Sequence, residues 1–371
     1  MILNRLKIEN FRNYDAALCE FSPEVNVING ANAQGKTNLL EAAYYLAGAS
    51  SFRARSSKEL IRFGQSEFRL QADIESEGRE QTIDISLNAA GRKKILVNGV
   101  KKRSAAELSG KLCCVLFSPD DMELIRGGAA TRRRLMDGAI SQLRPNYAAA
   151  LSRFNKYYDH KVRILRDWRE KPDLLEVLDD FNYNLAHLGA QLIYYRAAWC
   201  RRLAEAAGAV HGEVSGRGEL LELSYKTVKT VPNPEEMKPQ DILTCLLEHQ
   251  QSHKQAELES GMVLSGAMKD DIIAKINGVE AKNFASQGQA RTAALAIKLA
   301  EREIIQTTTG EYPLLLLDDV LSELDEVRQD FVLNRIAGGQ VFITCCDGRQ
   351  VSDRTGGKLI FVDDGRIKIE N

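Results

Sequence analysis

The stretch Gly30–Thr37 fits the pattern G-x-x-x-x-G-K-[ST], in which a glycine-rich loop leads into a helix. Gly30 and Gly35 permit backbone conformations that are closed to residues with a β-carbon, so consecutive amides can point inward around phosphate oxygens. In such a loop Lys36 reaches the β- and γ-phosphates of a nucleotide, and the Thr37 hydroxyl binds Mg²⁺. The pattern predicts a phosphate-binding loop, and the alternative is an ordinary glycine-rich turn.

Apolar residues on either side of this loop predict the elements that would hold it in place. Val25, Val27 and Ile28 predict a strand that leads into the loop, and Leu39–Leu46 predicts the helix that leaves it. Apolar and polar residues alternate through Met1–Tyr14, which predicts a half-buried strand. The loop is therefore expected at the end of a strand, inside a domain that contains both strands and helices.

A second stretch with chemical potential lies far along the chain, where Leu314–Leu317 precedes Asp318 and Asp319. A parallel strand that is buried on both faces is continuously apolar, and carboxylates at its carboxyl end meet a ligand at the edge of the sheet. We expect Asp318 to hold Mg²⁺ and Asp319 to orient the attacking water. The alternative is a buried strand with a polar exit.

The long interval between the two stretches predicts one nucleotide-binding domain that is split around an insertion. Residues after Ser118 change to long helical patterns, and strand character returns near Ile272. We therefore expect residues 1–115 and 271–371 to form ATPase lobe I and residues 116–270 to form a mainly helical lobe II. The predicted fold class is α/β.

Composition excludes several classes of protein. Apolar residues make up 44% and charged residues 27% of the 371-residue chain, as in globular proteins, and no apolar run could span a membrane. The N-terminus lacks the order of a signal peptide, and the seven cysteines form no C-x-x-C pair. We expect a cytoplasmic, nucleoid-associated protein with reduced thiols and no membrane partner.

Positive charge is concentrated in one segment of a chain whose net charge is −1. Between Gly91 and Glu170 there are 18 Lys and Arg residues against 8 Asp and Glu residues. This distribution indicates an interaction with DNA phosphates that depends on shape and backbone and not on base sequence. The alternatives are a solvated basic face and, for the arginine triplet, a structural role. The candidate residues are Lys93, Lys94, Lys101, Lys102, Arg103, Arg132, Arg133 and Arg134.

Six stretches, taken together with their order and spacing, resemble one family. They are Asn10–Tyr14, Gly35–Ala42, Phe117–Asp121, Arg132–Arg134, Ser286–Gln289 and Leu317–Asp325. The chain resembles the RecF family of bacterial DNA replication and repair proteins, within the SMC-type branch of ABC ATPases. The resemblance covers nearly the whole chain, and it implies an ABC-type P-loop ATPase lobe, a mixed sheet with a central helix, and an inserted helical lobe II.

The resemblance also implies roles for individual residues. Lys36, Asp318 and Asp319 would serve catalysis, and Thr37 and Asp318 would bind Mg²⁺. Residues that would contact ATP are Arg12, Asn13, Gly30, Asn32, Gly35, Lys36, Thr37, Asn38, Ser286, Gly288 and Gln289. In that superfamily the signature motif, here Ser286–Gln289, binds the nucleotide of a second subunit, and Asp325 lies in the D-loop at the same interface.

The implied function is that of an ATP-gated homodimer on duplex DNA near single-strand gaps. It would hydrolyse ATP slowly, respond to DNA and help load RecA together with RecO and RecR. Two alternatives stay open, a monomeric P-loop enzyme such as a small-molecule kinase and the nucleotide-binding subunit of a transporter.

The chain departs from the family pattern at two places. Gly266–Asp271 replaces the usual Gly-Pro-His-Arg-Asp-Asp, and Thr344–Cys346 follows the last core strand, where ABC ATPases often carry a switch histidine. We therefore assign no switch residue near Thr344.

Overall fold

The computed structural model describes residues 1–216 and 218–369. It divides into two compact units, one formed by residues 1–121 together with those from 297 onward, and one formed by residues 122–296. The strands are β1 Ile2–Phe11, β2 Tyr14–Glu20, β3 Val25–Asn29, β4 Glu67–Ser76, β5 Arg79–Asn88, β6 Lys93–Val97, β7 Val100–Lys101, β8 Cys114–Phe117, β9 Leu221–Lys226, β10 Asp271–Ile276, β11 Val279–Glu280, β12 Leu314–Asp318, β13 Val341–Cys345, β14 Lys358–Asp363 and β15 Arg366–Ile369.

The helices also follow the order of the chain. They are α1 Lys36–Gly48, α2 Glu123–Arg126, α3 Ala129–Leu143, α4 Pro145–Asp167, α5 Leu178–Val214, α6 Pro239–Ser260, α7 Ala281–Phe284, α8 Gln287–Thr309, α9 Glu326–Arg335 and α10 Gly348–Thr355. Among the described residues, no helix combines the length and the apolar character that crossing a membrane requires.

The first unit contains a sheet with the strand order β15-β14-β3-β13-β12-β8. Strands β14, β3, β13, β12 and β8 run parallel, and β15 pairs antiparallel with β14. All five residues of β12 are buried, which agrees with the predicted two-sided burial of the leucine run. Because β13 lies between β3 and β12, the carboxyl ends of these three strands meet at one edge.

A second, antiparallel sheet of the first unit has the order β2-β1-β4-β5-β6-β7. The alternation predicted for the first residues is present, since Leu3, Leu6, Ile8 and Phe11 are all buried. A register shift between Leu3 and Arg5 keeps Leu3 on the buried face although the spacing to Leu6 is odd. A two-residue turn joins β6 and β7, with positive φ at both of its central residues, Asn98 and Gly99, a residue pair typical of such turns.

The second unit is mainly helical, with α3, α4, α5 and α6 as its long helices and a small sheet of order β11-β10-β9. The sequence patterns did not indicate β9, a short strand between two long helical segments. Strand β10 pairs with β9 along its whole length, from Asp271 to Ile276. The expected boundaries after residues 115 and 270 therefore differ from the observed division, which places residues 271–296 in the mainly helical unit.

Candidate nucleotide-binding site

The loop between β3 and α1 has the conformation that a phosphate cradle requires. Gly35 has a φ of 116°, and a β-carbon built on it would lie 2.7 Å from Asn13 Nδ2. A β-carbon on Gly30 would lie 2.4 Å from the Val362 carbonyl oxygen. Both positions therefore demand glycine, the first for its backbone conformation and the second for the close approach of β14.

Lys36 begins helix α1, and its ammonium group lies within the loop itself. Only 4% of the residue is exposed, and Nζ donates hydrogen bonds to the carbonyl oxygens of Gly30 at 2.7 Å and Ala31 at 3.3 Å. Cys346 Sγ lies 3.5 Å from the same nitrogen and donates to Asn32 Oδ1 at 3.2 Å. A cation held by two carbonyl oxygens in a glycine cradle fits a site for phosphate oxygens.

Thr37 and Asp318 lie 281 positions apart in the chain, and the fold brings them into direct contact. Thr37 Oγ1 donates to Asp318 Oδ1 at 2.9 Å. Burial raises the pKa of the Asp318 carboxyl group, and hydrogen bonds from Thr37 and Thr344 oppose that shift. A hydroxyl and a carboxylate in contact beside a phosphate loop are the oxygen ligands that Mg²⁺ takes together with nucleotide phosphates.

Thr344, at the end of the central strand β13, is a site residue that the sequence patterns did not indicate. Its buried hydroxyl donates to Asp318 Oδ1 at 2.9 Å and accepts a hydrogen bond from the Asp319 backbone N–H at 2.8 Å. Asp319 has a φ of 51°, which is costly for a residue other than glycine. Thr344 thus fixes both predicted carboxylate positions. The strand order, which sequence alone does not reveal, decides its place.

Arg12, Asn13 and Asn38 all lie beside the loop or its helix. Asn13 Nδ2 donates to the Gln34 carbonyl oxygen at 3.0 Å, and Asn38 Nδ2 donates to Asn13 Oδ1 at 2.8 Å. Arg12 donates two hydrogen bonds, at 2.8 and 2.9 Å, to the carboxylate of Glu41 on α1. Asn13 therefore braces the loop directly and Asn38 holds Asn13 in place, whereas Arg12 is held by a carboxylate.

Glu41 is a second residue that the sequence patterns missed. Its side chain is fully buried, and it accepts hydrogen bonds from Arg12, from Arg53 at 2.8 Å and from Ser51 at 2.5 Å. Burial raises the pKa of Glu41, but these three hydrogen bonds outweigh it and leave the pKa below its usual value. An acidic residue on the apolar side of a helix was the available signal, because such a group requires partners.

The predicted signature motif belongs to the second unit. Ser286 Oγ accepts the Gln289 N–H at 3.1 Å, and Gln289 Oε1 accepts the Ser286 N–H at 2.9 Å, which is a reciprocal capping box at the start of α8. Gln289 Nε2 also donates to Glu219 at 2.7 Å. Ser286 and Gly288 are exposed, so the amides at the start of α8 face solvent and could accept an anion.

The lysines of strand β6 do not form the single patch that their proximity in the sequence indicated. Successive side chains of a strand point to opposite faces. Lys93 pairs with buried Leu87, and its ammonium group donates to the Ala49 carbonyl oxygen at 2.5 Å. Lys94 pairs with Ser86 and is exposed. Lys93 is exposed as well, but its ammonium group is engaged by Ala49. Lys94, Lys101 and Arg103 are exposed and remain candidates for DNA contact, with Lys102 half-buried.

The three arginines of α3 differ in their surroundings. Arg132 is 6% exposed, and its guanidinium binds Asp271 at 2.6 and 2.9 Å as well as the carbonyl oxygens of Leu124 and Gly127. Arg133 donates to the Asp270 carbonyl oxygen at 2.7 Å, and Arg134 is exposed. The surroundings of Arg132 match the structural alternative and leave no room for a DNA contact.

A metal site of another kind does not compete with this arrangement. Within residues 1–216 and 218–369, no group of three or more His, Cys, Asp or Glu side chains could hold a metal ion. A site with one hydroxyl and one carboxylate is typical of Mg²⁺ bound together with nucleotide phosphates, which supply the other ligands.

Comparison with known proteins supports the family that the sequence motifs resemble. A family model described as RecF/RecN/SMC N terminal domain matches residues 2–366. The DNA replication and repair protein RecF of Acetivibrio thermocellus is 34% identical over 365 residues, which is 98% of each chain. That of Alkaliphilus oremlandii is 38% identical over 346 residues, which is 93% of each chain. The chain belongs to the RecF family.

Solved structures support the family assignment and the fold. Two structures of the recombination mediator protein RecF in the RecFOR pathway, one with ATP and one with ATPrS, match with a TM-score of 0.90 and 34% identity. Each match covers 100% of this chain and 98% of the RecF chain. The Smc head domain of Pyrococcus furiosus, at 17% identity and a TM-score of 0.54, shares the fold. The predicted RecF resemblance and ABC-type ATPase fold are confirmed.

Proposed function

We propose that this member of the RecF family is an ATP-dependent DNA-binding protein of recombinational repair and replication restart. The observation that supports the ATP site is the 2.9 Å contact between Thr37 Oγ1 and Asp318 Oδ1 beside the glycine loop. Two motifs from opposite ends of the chain meet there at the edge of one parallel sheet, which is where ligands bind in such sheets.

ATP is the substrate of this site, and each residue has one task. Loop amides and Lys36 bind the phosphates, with Lys36 exchanging its carbonyl partners for phosphate oxygens. Thr37 and Asp318 hold Mg²⁺, which when bound neutralises charge on the β- and γ-phosphates. Asp319 orients the attacking water, and Thr344 keeps both aspartates in place.

The second half of the site comes from a second copy of the chain. Ser286 and Gly288 are exposed and Gln289 is half-buried at the start of a long helix, where the capping box between Ser286 and Gln289 fixes the local conformation. We propose that they bind the γ-phosphate of ATP held by the partner subunit. ATP then stabilises a homodimer, and hydrolysis releases it, so turnover is slow and increases when DNA holds the dimer together.

DNA binding is proposed for the exposed cations Lys94, Lys101 and Arg103, with Lys102 beside them. These residues contact phosphates and give no base specificity. Solved relatives are named as recombination mediators of the RecFOR pathway. We propose that this chain acts in the same pathway, binds near single-strand gaps and helps load RecA together with RecO and RecR.

Sedimentation velocity with and without Mg²⁺ and ATP tests the dimer. We expect a monomer without ATP and a dimer with it. Lys36→Met should abolish ATP binding and the dimer, and Asp319→Asn should trap the dimer because ATP is bound but not cleaved. Ser286→Arg should retain ATP binding and lose the dimer. A monomer under all conditions, with gapped DNA present, would rule out the ATP-gated dimer.

A further inference from the structure

Phe63 is displayed at the tip of a tight turn and is fully exposed, with a relative accessibility of 102%. The Gln65 N–H donates to the Arg62 carbonyl oxygen at 3.0 Å, and Gly64 has a φ of 83°. A positive φ at the second central residue is typical of a type II turn, which needs glycine there. The ring thus projects from the turn into solvent and is not covered by any of the residues that the structure describes.

The turn is anchored on both sides, so the exposure of the ring does not come from a loose loop. Before the ring, the Arg62 N–H donates to the Asn10 carbonyl oxygen at 2.9 Å, and Ile61 forms a bridge with Phe11. After the ring, the Ala89 N–H donates to the Ser66 carbonyl oxygen at 2.7 Å. A large apolar ring is thereby held in water at a fixed position.

Two cations, Lys58 and Arg92, lie on segments that adjoin this turn, since Ser66 is hydrogen-bonded to Ala89 of the loop that carries Arg92. Lys58 is exposed and lies against the loop between β5 and β6, where a β-carbon built on Gly91 would be 3.1 Å from Lys58 Cε. Arg92, the next residue of that loop, is also exposed. The remaining cation, Arg62, pairs with Asp15 at 2.7 Å.

Two acidic residues, Glu59 and Glu67, also flank the turn in the sequence. Glu59 uses its carboxylate to accept the Ser56 N–H in a capping box at 3.1 Å. Glu67 is exposed at the start of β4. The residues that follow the ring, Gly64, Gln65 and Ser66, are exposed and polar or small, so no continuous apolar patch surrounds it. A large apolar patch is what marks a protein-docking site, whereas a single exposed aromatic ring with cations on adjoining segments suits a stacked base and its phosphates.

We propose that Phe63 stacks on an unpaired base of single-stranded DNA, while Lys58 and Arg92 bind the flanking phosphates. This inference rests on the proposed DNA-binding function and extends it, because it assigns recognition of the single-stranded part of a gap to one turn. The segment that leads into the turn is tied to Arg12, whose N–H donates to the Leu60 carbonyl oxygen at 2.8 Å and whose side chain binds Glu41 on α1.

The proposal is tested by measuring the affinity of the whole chain for gapped DNA and for a matched full duplex. The gap carries 2-aminopurine, whose fluorescence is quenched when an aromatic ring stacks on it. Phe63→Ala should weaken binding to gapped DNA about 5- to 150-fold and leave duplex binding unchanged. Phe63→Trp should retain both the affinity and the quenching of 2-aminopurine. Lys58→Gln and Arg92→Gln should each lower the salt slope on single strands by about 0.7.

The exposed Leu18 provides a matched control, since Leu18→Ala also removes an exposed apolar side chain of the first unit. It should leave both affinities unchanged. If Phe63→Leu bound gapped DNA as tightly as the wild type, base stacking by the ring would be ruled out. Stacking would also be ruled out if Phe63→Ala lost the same affinity for gapped DNA as for duplex DNA. If the wild type bound neither DNA, the proposed function would fail as well. Duplex binding with an unaffected Phe63→Ala variant would overturn this inference alone.

Discussion

The residues proposed to act on ATP lie at the carboxyl ends of β3 and β12, and Thr344, on the intervening strand β13, contacts Asp318 and Asp319. Its hydroxyl donates to Asp318 Oδ1 and accepts the Asp319 N–H. One hydroxyl therefore influences both the protonation of the carboxylate that would bind Mg²⁺ and the backbone of the residue that would orient water. This makes Thr344 a positioning residue, separable from the groups that touch ATP.

Thr344→Val should lower ATP turnover about 10-fold, because a hydrogen bond to a charged group is worth about 1.5–3 kcal/mol. The loss of this hydrogen bond also raises the pKa of Asp318 further. Only the ionised carboxylate binds Mg²⁺, so activity is present above this pKa and is lost as the pH falls through it. The acidic limb of the pH–rate profile of Thr344→Val should therefore move to higher pH.

Turnover measured across pH at saturating ATP checks this prediction, with Thr344→Ser as the matched control. Serine keeps the hydroxyl and should restore the wild-type profile. An unshifted acidic limb in Thr344→Val would show that the hydroxyl does not tune Asp318.

Among the elements, α3 shows that neighbouring charges can have different tasks. Arg132 binds the Asp271 carboxylate and two backbone carbonyl oxygens inside the second unit, whereas Arg134 is exposed. A helix turns by about 100° per residue, so adjacent arginines cannot share one surface. The packing of α3 against β10, which Asp271 begins, determines which arginine is buried.

Arg132→Ala should lower the free energy of unfolding by about 3 kcal/mol, because it leaves a carboxylate and two carbonyl oxygens without their partner. Arg134→Ala should change it by less than about 0.5 kcal/mol. Urea unfolding of both variants measures this difference. In a salt-titrated gel shift on duplex DNA, Arg132→Ala should keep the wild-type slope, whereas Lys101→Ala should reduce it by about 0.9. A reduced slope for Arg132→Ala would return this residue to the DNA contacts.

At the scale of the whole molecule, the central sheet of the first unit is built from both ends of the chain. Strand β3, which carries the phosphate loop, pairs with β13 on one side and β14 on the other. Both partners follow the inserted second unit. The antiparallel sheet, in contrast, consists only of strands that precede residue 102.

In a fragment of residues 1–121, the amides of β3 should therefore exchange rapidly with solvent hydrogen. Without β13 and β14, the hydrogen-bonding groups of Val27 and Ile28 have no neighbouring strand. Hydrogen exchange of these amides, measured by mass spectrometry, is compared between the fragment and the whole chain. Amides of β4 and β5 provide the internal control, because their partner strands remain in the fragment. Protection of Val27 and Ile28 in the fragment would contradict this account.

Sequence alone sufficed where the chemistry is encoded locally. The glycine-rich loop and the apolar run before Asp318 each depend on neighbours within a few positions, so their residue types and spacing predicted the local structure. The turns at Asn98-Gly99 and Asp364-Gly365 are encoded locally as well, since both residues of each turn have positive φ, which Asn, Asp and Gly tolerate best. Together these motifs sufficed for the fold class and the family.

Only the tertiary structure decided which residues meet across the fold. It placed Thr344 between two aspartates, bound Glu41 to Arg12, buried Arg132 against Asp271 and turned Lys93 away from Lys94. Each outcome depends on strand order, strand pairing or helix packing between residues that lie far apart in the chain. Burial then sets the cost of leaving a polar group unpaired, and that cost, absent from local sequence, separates structural charges from those available to a ligand.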